Sequence, residues 1–372
     1  MNSETFNPPQ RILMGPGPSD VHPRVLSALA RPTVGHLDPA FSAMMEEVKG
    51  MLRQLFRTDN ALTFPISGPG MTGMESCFVN LVEPGDKVIV CRNGVFGDRM
   101  QDIAKRCGGE VTVLDDAWGT PVDPQKLEDA LKAQPGTKVV AFVHAETSTG
   151  VQSDAAALCK LASDHGALSI VDTVTSLGGI PVEVDGWGAD AVYSGTQKCL
   201  SCPPGLSPVT FSPRAAEAVK ARTTPAVSWF LDLGLVMGYW EGGGGKRAYH
   251  HTAPVNALYG LHESLKMILD EGLENSWARH AAMHATLKQG LEELGLSFLV
   301  DEAHRLPQLN AVNVPDGVDE AAVRSHALNA YGLEIGAGLG ALAGKVWRIG
   351  LMGQSANERN IALCLRALKD GL

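Results

Sequence analysis

The period of the hydrophobic positions switches back and forth along the chain, and that switching predicts the architecture. Strands are predicted at Leu62–Ile66, Asp86–Cys91, Glu110–Leu114, Lys138–His144, Leu168–Val171, Ala189–Tyr193 and Pro208–Phe211, of which Lys138–His144, Leu168–Val171 and Ala189–Tyr193 are short, mainly apolar runs. Runs of this length without polar alternation are characteristic of strands buried on both faces. Between them lie segments with apolar residues at helical spacing. Helices are predicted from an N-cap at Ser19 through Ala30, and within 36–56, where Phe41, Met44, Met45, Val48, Met51, Leu52 and Phe56 share a face. Others are predicted at 123–131, with Pro124 in the first turn, at 155–165 and at 212–222. Strand and helix in steady alternation predict an α/β fold with a predominantly parallel sheet and helices on both faces.

Beyond Val255 the pattern changes. Val255 to Leu294 reads as long helices broken near Gly272, where a second unit begins. Strands are predicted there at 296–300, 310–314 and 346–350, and helices at 320–331 and 357–368. Glu241 to Lys246 is predicted to be a flexible glycine loop, and Gly336 to Gly340 a mobile or tight one.

Composition narrows the function classes. The 372 residues suffice for one large and one smaller unit, and 44% of them are hydrophobic. A net charge of −10 without a basic stripe argues against nucleic acid. No apolar stretch is long enough to span a bilayer and neither end carries a targeting pattern, so no membrane partner is expected and the cytoplasm is the expected location. The seven cysteines are odd in number and scattered, which suits a reducing compartment. Cys199 and Cys202 form a lone C-x-x-C pair without the ligands of a zinc site, and the adjacent His250 and His251 have no carboxylate at metal spacing, so no metal is expected.

The candidate chemistry sits where apolar runs end. One run ends in Asp172, and another ends five residues before Lys198. The carboxyl ends of parallel strands are where α/β sheets place their chemistry. An aspartate can hold a protonated ring nitrogen and a lysine can condense with an aldehyde, which is what pyridoxal phosphate requires. The same residues also suit a core strand ending in a helix cap and a surface lysine at a turn, and both readings stand at this point. Ser67-Gly-Pro-Gly70-Met71-Thr72, between a strand and a helix, makes an anion cup that lacks both the Walker ending and the dinucleotide glycine spacing. Phe96 can stack on an aromatic ring or pack in the core. Arg348, among apolar neighbours, suits a substrate carboxylate or an internal ion pair.

Together several segments carry a resemblance. They are Met14-Gly-Pro-Gly-Pro18, Ser67 to Gly70, Asn93 to Arg99, Glu146 to Gly150, Val171 to Gly179, Tyr193-Ser-Gly-Thr-Gln-Lys198, Pro203-Pro-Gly205, Tyr249-His-His-Thr252, Leu273 to Trp277 and Arg348-Ile-Gly350. The chain resembles, over about residues 11–368, the fold-type-I, class V pyridoxal phosphate aminotransferases of the alanine–glyoxylate and serine–glyoxylate (serine–pyruvate) group. The resemblance implies a large, mostly parallel seven-stranded sheet domain flanked by helices and a smaller α+β C-terminal domain. It implies an N-terminal arm (1–18) crossing a homodimer interface, a cofactor-binding domain (19–270) and a small domain (271–372). By the same likeness Lys198 links to pyridoxal 5'-phosphate and moves protons, and Asp172 pairs with the ring nitrogen. Phe96 stacks on the ring, where relatives often carry tryptophan, and Thr147 touches the cofactor. Gly70, Met71, Thr72 and Gln197 form the phosphate cup, with Met71 where some relatives have histidine. Tyr249 and Thr252 reach the cup from the second subunit, and Arg348 and Gly17 bind the substrate.

The implied reaction moves the amino group of alanine or serine to glyoxylate or pyruvate in a ping-pong cycle. Alternative donors within the fold are pyridoxamine, ureidoglycine and aminophosphonates. A cysteine desulfurase would need a reactive cysteine on an active-site loop, and a regulator without turnover would have lost the lysine or the acid; both are present here.

Overall fold

The computed structural model describes residues 5–240 and 247–372. The N-terminal segment supplies β1 (Ile12–Leu13) and α1 (Pro23–Leu29), followed by α2 (Pro39–Phe56). The next part alternates as its hydrophobic pattern predicts. It runs β2 (Leu62–Ser67), α3 (Gly70–Leu81), β3 (Lys87–Arg92), α4 (Val95–Arg106), β4 (Glu110–Asp115), α5 (Pro124–Ala133) and β5 (Val139–Val143). A small hairpin of β6 (Ala145–Glu146) and β7 (Val151–Gln152) precedes α6 (Ala155–Asp164) and β8 (Leu168–Asp172). Then come α7 (Val184–Trp187), β9 (Ala191–Tyr193), β10 (Leu206–Phe211), α8 (Pro213–Lys220), α9 (Leu233–Trp240) and the two long helices α10 (Val255–Glu271) and α11 (Leu273–Glu293). The chain closes with β11 (Leu309–Asn313), α12 (Glu320–Tyr331), β12 (Leu333–Glu334), β13 (Gly336–Ala337), β14 (Val346–Gly350) and α13 (Glu358–Gly371).

Among the described residues the large sheet has seven strands in the order β2-β10-β9-β8-β5-β3-β4. All neighbours pair in parallel except β10, which runs antiparallel to both β2 and β9. The expected mostly parallel seven-stranded architecture, with a smaller α+β unit after it, is therefore what the chain adopts. Its central strands are buried along their whole length, as in Val139-Val-Ala-Phe-Val143. Helices cover both faces because each presents one apolar stripe. In α2 that stripe is Phe41, Met45, Val48, Leu52 and Leu55, and the helix starts where Asp38 Oδ1 accepts the Ala40 N–H at 2.7 Å with Pro39 behind it.

A second apolar core holds Leu287, Leu291, Val312, Trp347, Ile349, Ile361 and Leu368, and Met14 from the N-terminal segment joins it. That segment is tied in by β1, which pairs with β12, and by the Gly350 N–H, which donates to Met14 O at 2.7 Å. Residues 14–17 thus pass from the C-terminal unit to the rim of the large sheet.

Several local expectations fail for identifiable reasons. Ser19 does not cap α1. His22 does, through Nδ1, because Pro23 is preorganised for the first helical position. Ser19 is instead buried, with its hydroxyl donating to Lys198 O at 2.7 Å. Residues 296–300 form no ladder. Only the bridge Phe298–Val312 and two flanking bonds meet β11, because the stretch is closed in between the end of α11 and the turn capped by Asp301. Gly336 and Ala337 are not loop but pair with β14. The predicted glycine loop at 241–246 lies outside the described residues. No helix among the described residues is long and apolar enough to cross a membrane.

Candidate active site

The carboxyl ends of the parallel strands bring the candidate residues to one rim. β8 ends in Asp172, β5 leads into Glu146 and Thr147, β3 leads into Phe96, and β9 leads through a turn to Lys198. Because β10 returns antiparallel, the Gly195–Gly205 stretch folds over that rim rather than leaving it. Lys198 is buried, and its Nζ donates to the carbonyl of Pro16. The approach needs Gly17, whose φ is +101° and where a Cβ would stand 2.6 Å from Lys198 Nζ.

Asp172 is buried with both oxygens engaged. Oδ1 accepts the Val174 N–H at 2.8 Å and Oδ2 accepts the Tyr193 hydroxyl at 2.7 Å. Burial pushes the Asp172 carboxyl up to about 7, against the pull of those two donors. Burial, and next the Arg348 charge, bring the Lys198 ammonium down to about 8, with Asp172 opposing. The acid and the amine therefore sense each other's charge, and burial drives each toward its neutral form. Groups tuned this way in a cleft suit proton transfer.

Arg348 projects from β14 and is 7% exposed. Its Nε donates to Ala337 O at 2.7 Å and its Nη1 to Thr147 O at 3.2 Å, so two carbonyls set the direction of the fork. Burial lowers its pKa to about 10, with Glu146 opposing. Thr147 is buried and shares a hydrogen bond with the Thr175 hydroxyl. Phe96 is partly buried in the first turn of α4, with the Arg99 guanidinium 5.1 Å from its ring centre.

At the start of α3 the cap position is Pro69, which has no side-chain acceptor for the first N–H groups. Gly70 lies against Val174, where a Cβ would meet Cγ2 at 3.0 Å, and Met71 and Thr72 follow in the first turn. Gln197 Oε1 is buried without a partner among the described residues. Free N–H groups at a helix start suit a phosphate, to which the Gln197 amide can offer only its Nε2 hydrogens because its oxygen is an acceptor, and a buried acid whose charge reaches a low-pKa lysine suits a pyridinium aldehyde. The donor set fits pyridoxal phosphate.

Two of the candidates stand apart within the chain. Tyr249 is 66% exposed, with its ring 5.3 Å from His36, and Thr252 is exposed as well. Their segment does reach the cup, since His251 Nε2 and Ser67 Oγ are 2.9 Å apart.

Tyr193 was not among the sequence candidates, yet it is the side chain that touches Asp172. The parallel register pairs Asp172 with Tyr193 across β8 and β9. Two apolar runs ending in step were the available signal. Tyr193→Phe is expected to raise the Asp172 pKa further and to lower kcat by about tenfold, the scale of one hydrogen bond to a charged group. The check is kcat against pH, where the acid limb moves up for the variant.

With this geometry in hand, the comparisons decide the family. The family "Aminotransferase class-V" matches residues 21–355. The chain belongs to the class-V aminotransferases. Rat alanine–glyoxylate aminotransferase is 40% identical over 371 residues, covering 100% of this chain and 89% of its own length. The (S)-ureidoglycine–glyoxylate transaminase of Bacillus subtilis is 38% identical over 380 residues, covering 97% of this chain and 90% of its own. The crystal structure of alanine–glyoxylate aminotransferase from Nostoc sp. superimposes with a TM-score of 0.97 at 45% identity, covering 100% of this chain and 97% of that one. As a class-V aminotransferase of the fold-type-I architecture, the protein is a pyridoxal phosphate-dependent enzyme.

Proposed function

We propose that the protein transfers the amino group of a small L-amino acid, alanine or serine, to glyoxylate or pyruvate. The observation that carries this reading is the buried, carbonyl-locked Arg348 whose charge reaches Lys198. An α-carboxylate held by that fork would bring its α-carbon toward the amine, which Pro16 and Gly17 already approach.

Bound in the cup, pyridoxal phosphate supplies an aldehyde that takes the amino group and a ring that accepts the electrons released at the donor's α-carbon. Lys198 would hold the aldehyde until a donor displaces it. Its Nζ would then act as the base that takes the proton from the donor's α-carbon and as the acid that gives it back, two roles one flexible amine suits. Asp172 would keep the proton on the ring nitrogen. Phe96 and Thr147 would hold the ring in place, and Gly70, Met71, Thr72 and Gln197 would hold the phosphate. The second half of the cycle runs in reverse with the 2-oxo acid.

The proposal includes a homodimer in the cytoplasm, with Tyr249 and Thr252 completing the partner's phosphate cup; of the 1–18 arm, residues 1–4 lie outside the described residues and 12–17 pack within their own chain, so the exposed residues 5–11 are the part proposed to cross the interface. Its support is the aromatic surface around Tyr249, where Trp229 is 65% exposed and Phe230 also meets solvent. All seven cysteines are free, which suits a reducing compartment. The division of the remainder into 19–270 and 271–372 rests on the two separate apolar cores.

The test is a panel of donors against glyoxylate and pyruvate with the products identified. Alanine or serine should be turned over fastest. A clear preference for ureidoglycine, pyridoxamine or an aminophosphonate overturns the donor assignment, and a sedimentation mass of one chain overturns the dimer. Arg348→Ala is expected to raise the donor KM by about 10² to 10³-fold, the scale of losing a forked pair of charge-assisted bonds, with a smaller effect on kcat.

A further inference from the structure

Helix α4 carries Phe96 in its first turn, yet its own cap position is Gly94, which has no side chain to offer. The unsatisfied N–H groups of that turn are met from another part of the chain. Val95 N donates to Ser148 Oγ at 3.0 Å, and Phe96 N donates to Glu146 Oε2 at 3.3 Å. The other carboxyl oxygen, Oε1, accepts the Ser148 N–H at 3.0 Å and the Ser148 hydroxyl at 2.6 Å. Glu146 is fully buried. A Cβ on Gly94 would collide with the Glu146 carboxyl carbon, so the missing cap and the admitted acid are two sides of one arrangement.

Each hydrogen-bond partner of this carboxyl donates to it. Burial raises the Glu146 pKa, and the donors of Ser148, Phe96 and Gly97 oppose that. A protonated acid would need an acceptor, and the backbone partners here offer only N–H. An anion at a helix start is also favoured by the helix dipole. Two further connections lead from Glu146 into the site. Its charge raises the pKa of both Arg348 and Asp172. The next residue, Thr147, gives its carbonyl to Arg348 and its hydroxyl to Thr175.

We propose that Glu146 is a positioning residue for transamination. Its carboxylate caps α4 from outside, fixes Phe96 relative to the Thr147 segment, and is the negative charge that Arg348 faces before a substrate carboxylate arrives. The inference rests on the cofactor placement above, and its test separates the two.

Glu146→Gln keeps the shape and removes the charge. An amide has one acceptor oxygen, so its NH2 must confront either the Phe96 N–H or the Ser148 N–H. The affinity of the cofactor-free protein for pyridoxal phosphate, read by quenching of tryptophan fluorescence, is expected to fall roughly tenfold, the scale of a lost charge-assisted bond. The donor KM is expected not to rise while kcat falls, because Arg348 loses a competitor rather than a ligand. Glu146→Asp restores the charge and should recover part of the affinity. A folded Gln variant that binds the cofactor like wild type, or an Asp variant as weak as the Gln one, overturns the proposal. If the Gln variant does not fold, Ser148→Ala decides. It takes away the Val95 acceptor, and a cofactor affinity lower by about two- to fivefold supports the external cap, while an unchanged one overturns it. Failure of the wild-type protein to bind pyridoxal phosphate would instead remove the cofactor placement itself.

Discussion

Lys198→Ala is expected to abolish transamination, with kcat lower by about 10⁴-fold or more, because the same amine carries the covalent link and both proton transfers. The cysteine beside it, Cys199, is buried with its thiol pushed up to about 12, mainly by burial. The variant should still bind pyridoxal phosphate, since the cup at α3, the Asp172 contact and the Phe96 platform do not involve the lysine. The distinguishing measurement is the visible absorbance of the bound cofactor. It should match that of the free aldehyde in the variant and differ from it in the wild type. Turnover surviving within about tenfold of wild type would show that another group moves the proton. A small primary amine added to the variant should restore part of the activity, since a mobile amine then occupies the space beside Gly17.

The architecture was legible because parallel strands buried on both faces leave an unmistakable trace, a short apolar run with no alternation. Val139 to Val143 and Leu168 to Val171 are such runs, and both are fully buried strands. Candidate chemistry was legible for a related reason. A carboxylate or lysine just past such a run sits where α/β sheets place their chemistry, although a helix cap or a surface turn accounts for it equally well until other segments are added. The tertiary relations were less visible. That Tyr193 donates to Asp172 follows from the register between β8 and β9, which depends on pairing and not on either strand alone. In the sequence Glu146 is one polar residue at the start of a hydroxyl-rich stretch, Glu146 to Gly150. Its role depends on the bare start of α4, fifty residues earlier in the chain. Ser19 shows a competition between local signals. A serine ahead of a helix invites a cap assignment, but Pro23 sets the start and leaves the serine free to hold the Lys198 backbone.

Asp172→Asn is expected to lower kcat/KM by about 10² to 10³-fold, the scale of removing one partner of a buried charge pair. The amide cannot keep the ring nitrogen protonated, so the ring loses its ability to accept electrons, while the phosphate cup and Arg348 remain. The substitution also makes a prediction for the protein stripped of cofactor. There the Asp172 carboxyl is raised from 3.8 to about 7, mainly by burial, with Tyr193 and Val174 opposing. The folded chain therefore keeps a proton that the unfolded chain has released between those values. By linkage, the contribution of Asp172 to stability falls as the pH climbs from about 4 to about 7. Asparagine does not titrate, so the Tm of the cofactor-free variant should gain on that of the cofactor-free wild type across this window. Buried groups that do not sense the Asp172 charge shift both proteins alike and cancel in the difference; Lys198 and Tyr193 do sense it, and both titrate above this window. Saturation with pyridoxal phosphate should shrink the gap, because the ring nitrogen's proton gives the ionised Asp172 a partner. A gap flat with pH in the stripped protein would mean that Asp172 is already ionised without the cofactor, and that the site is held ready by its fixed donors rather than by the arriving ring.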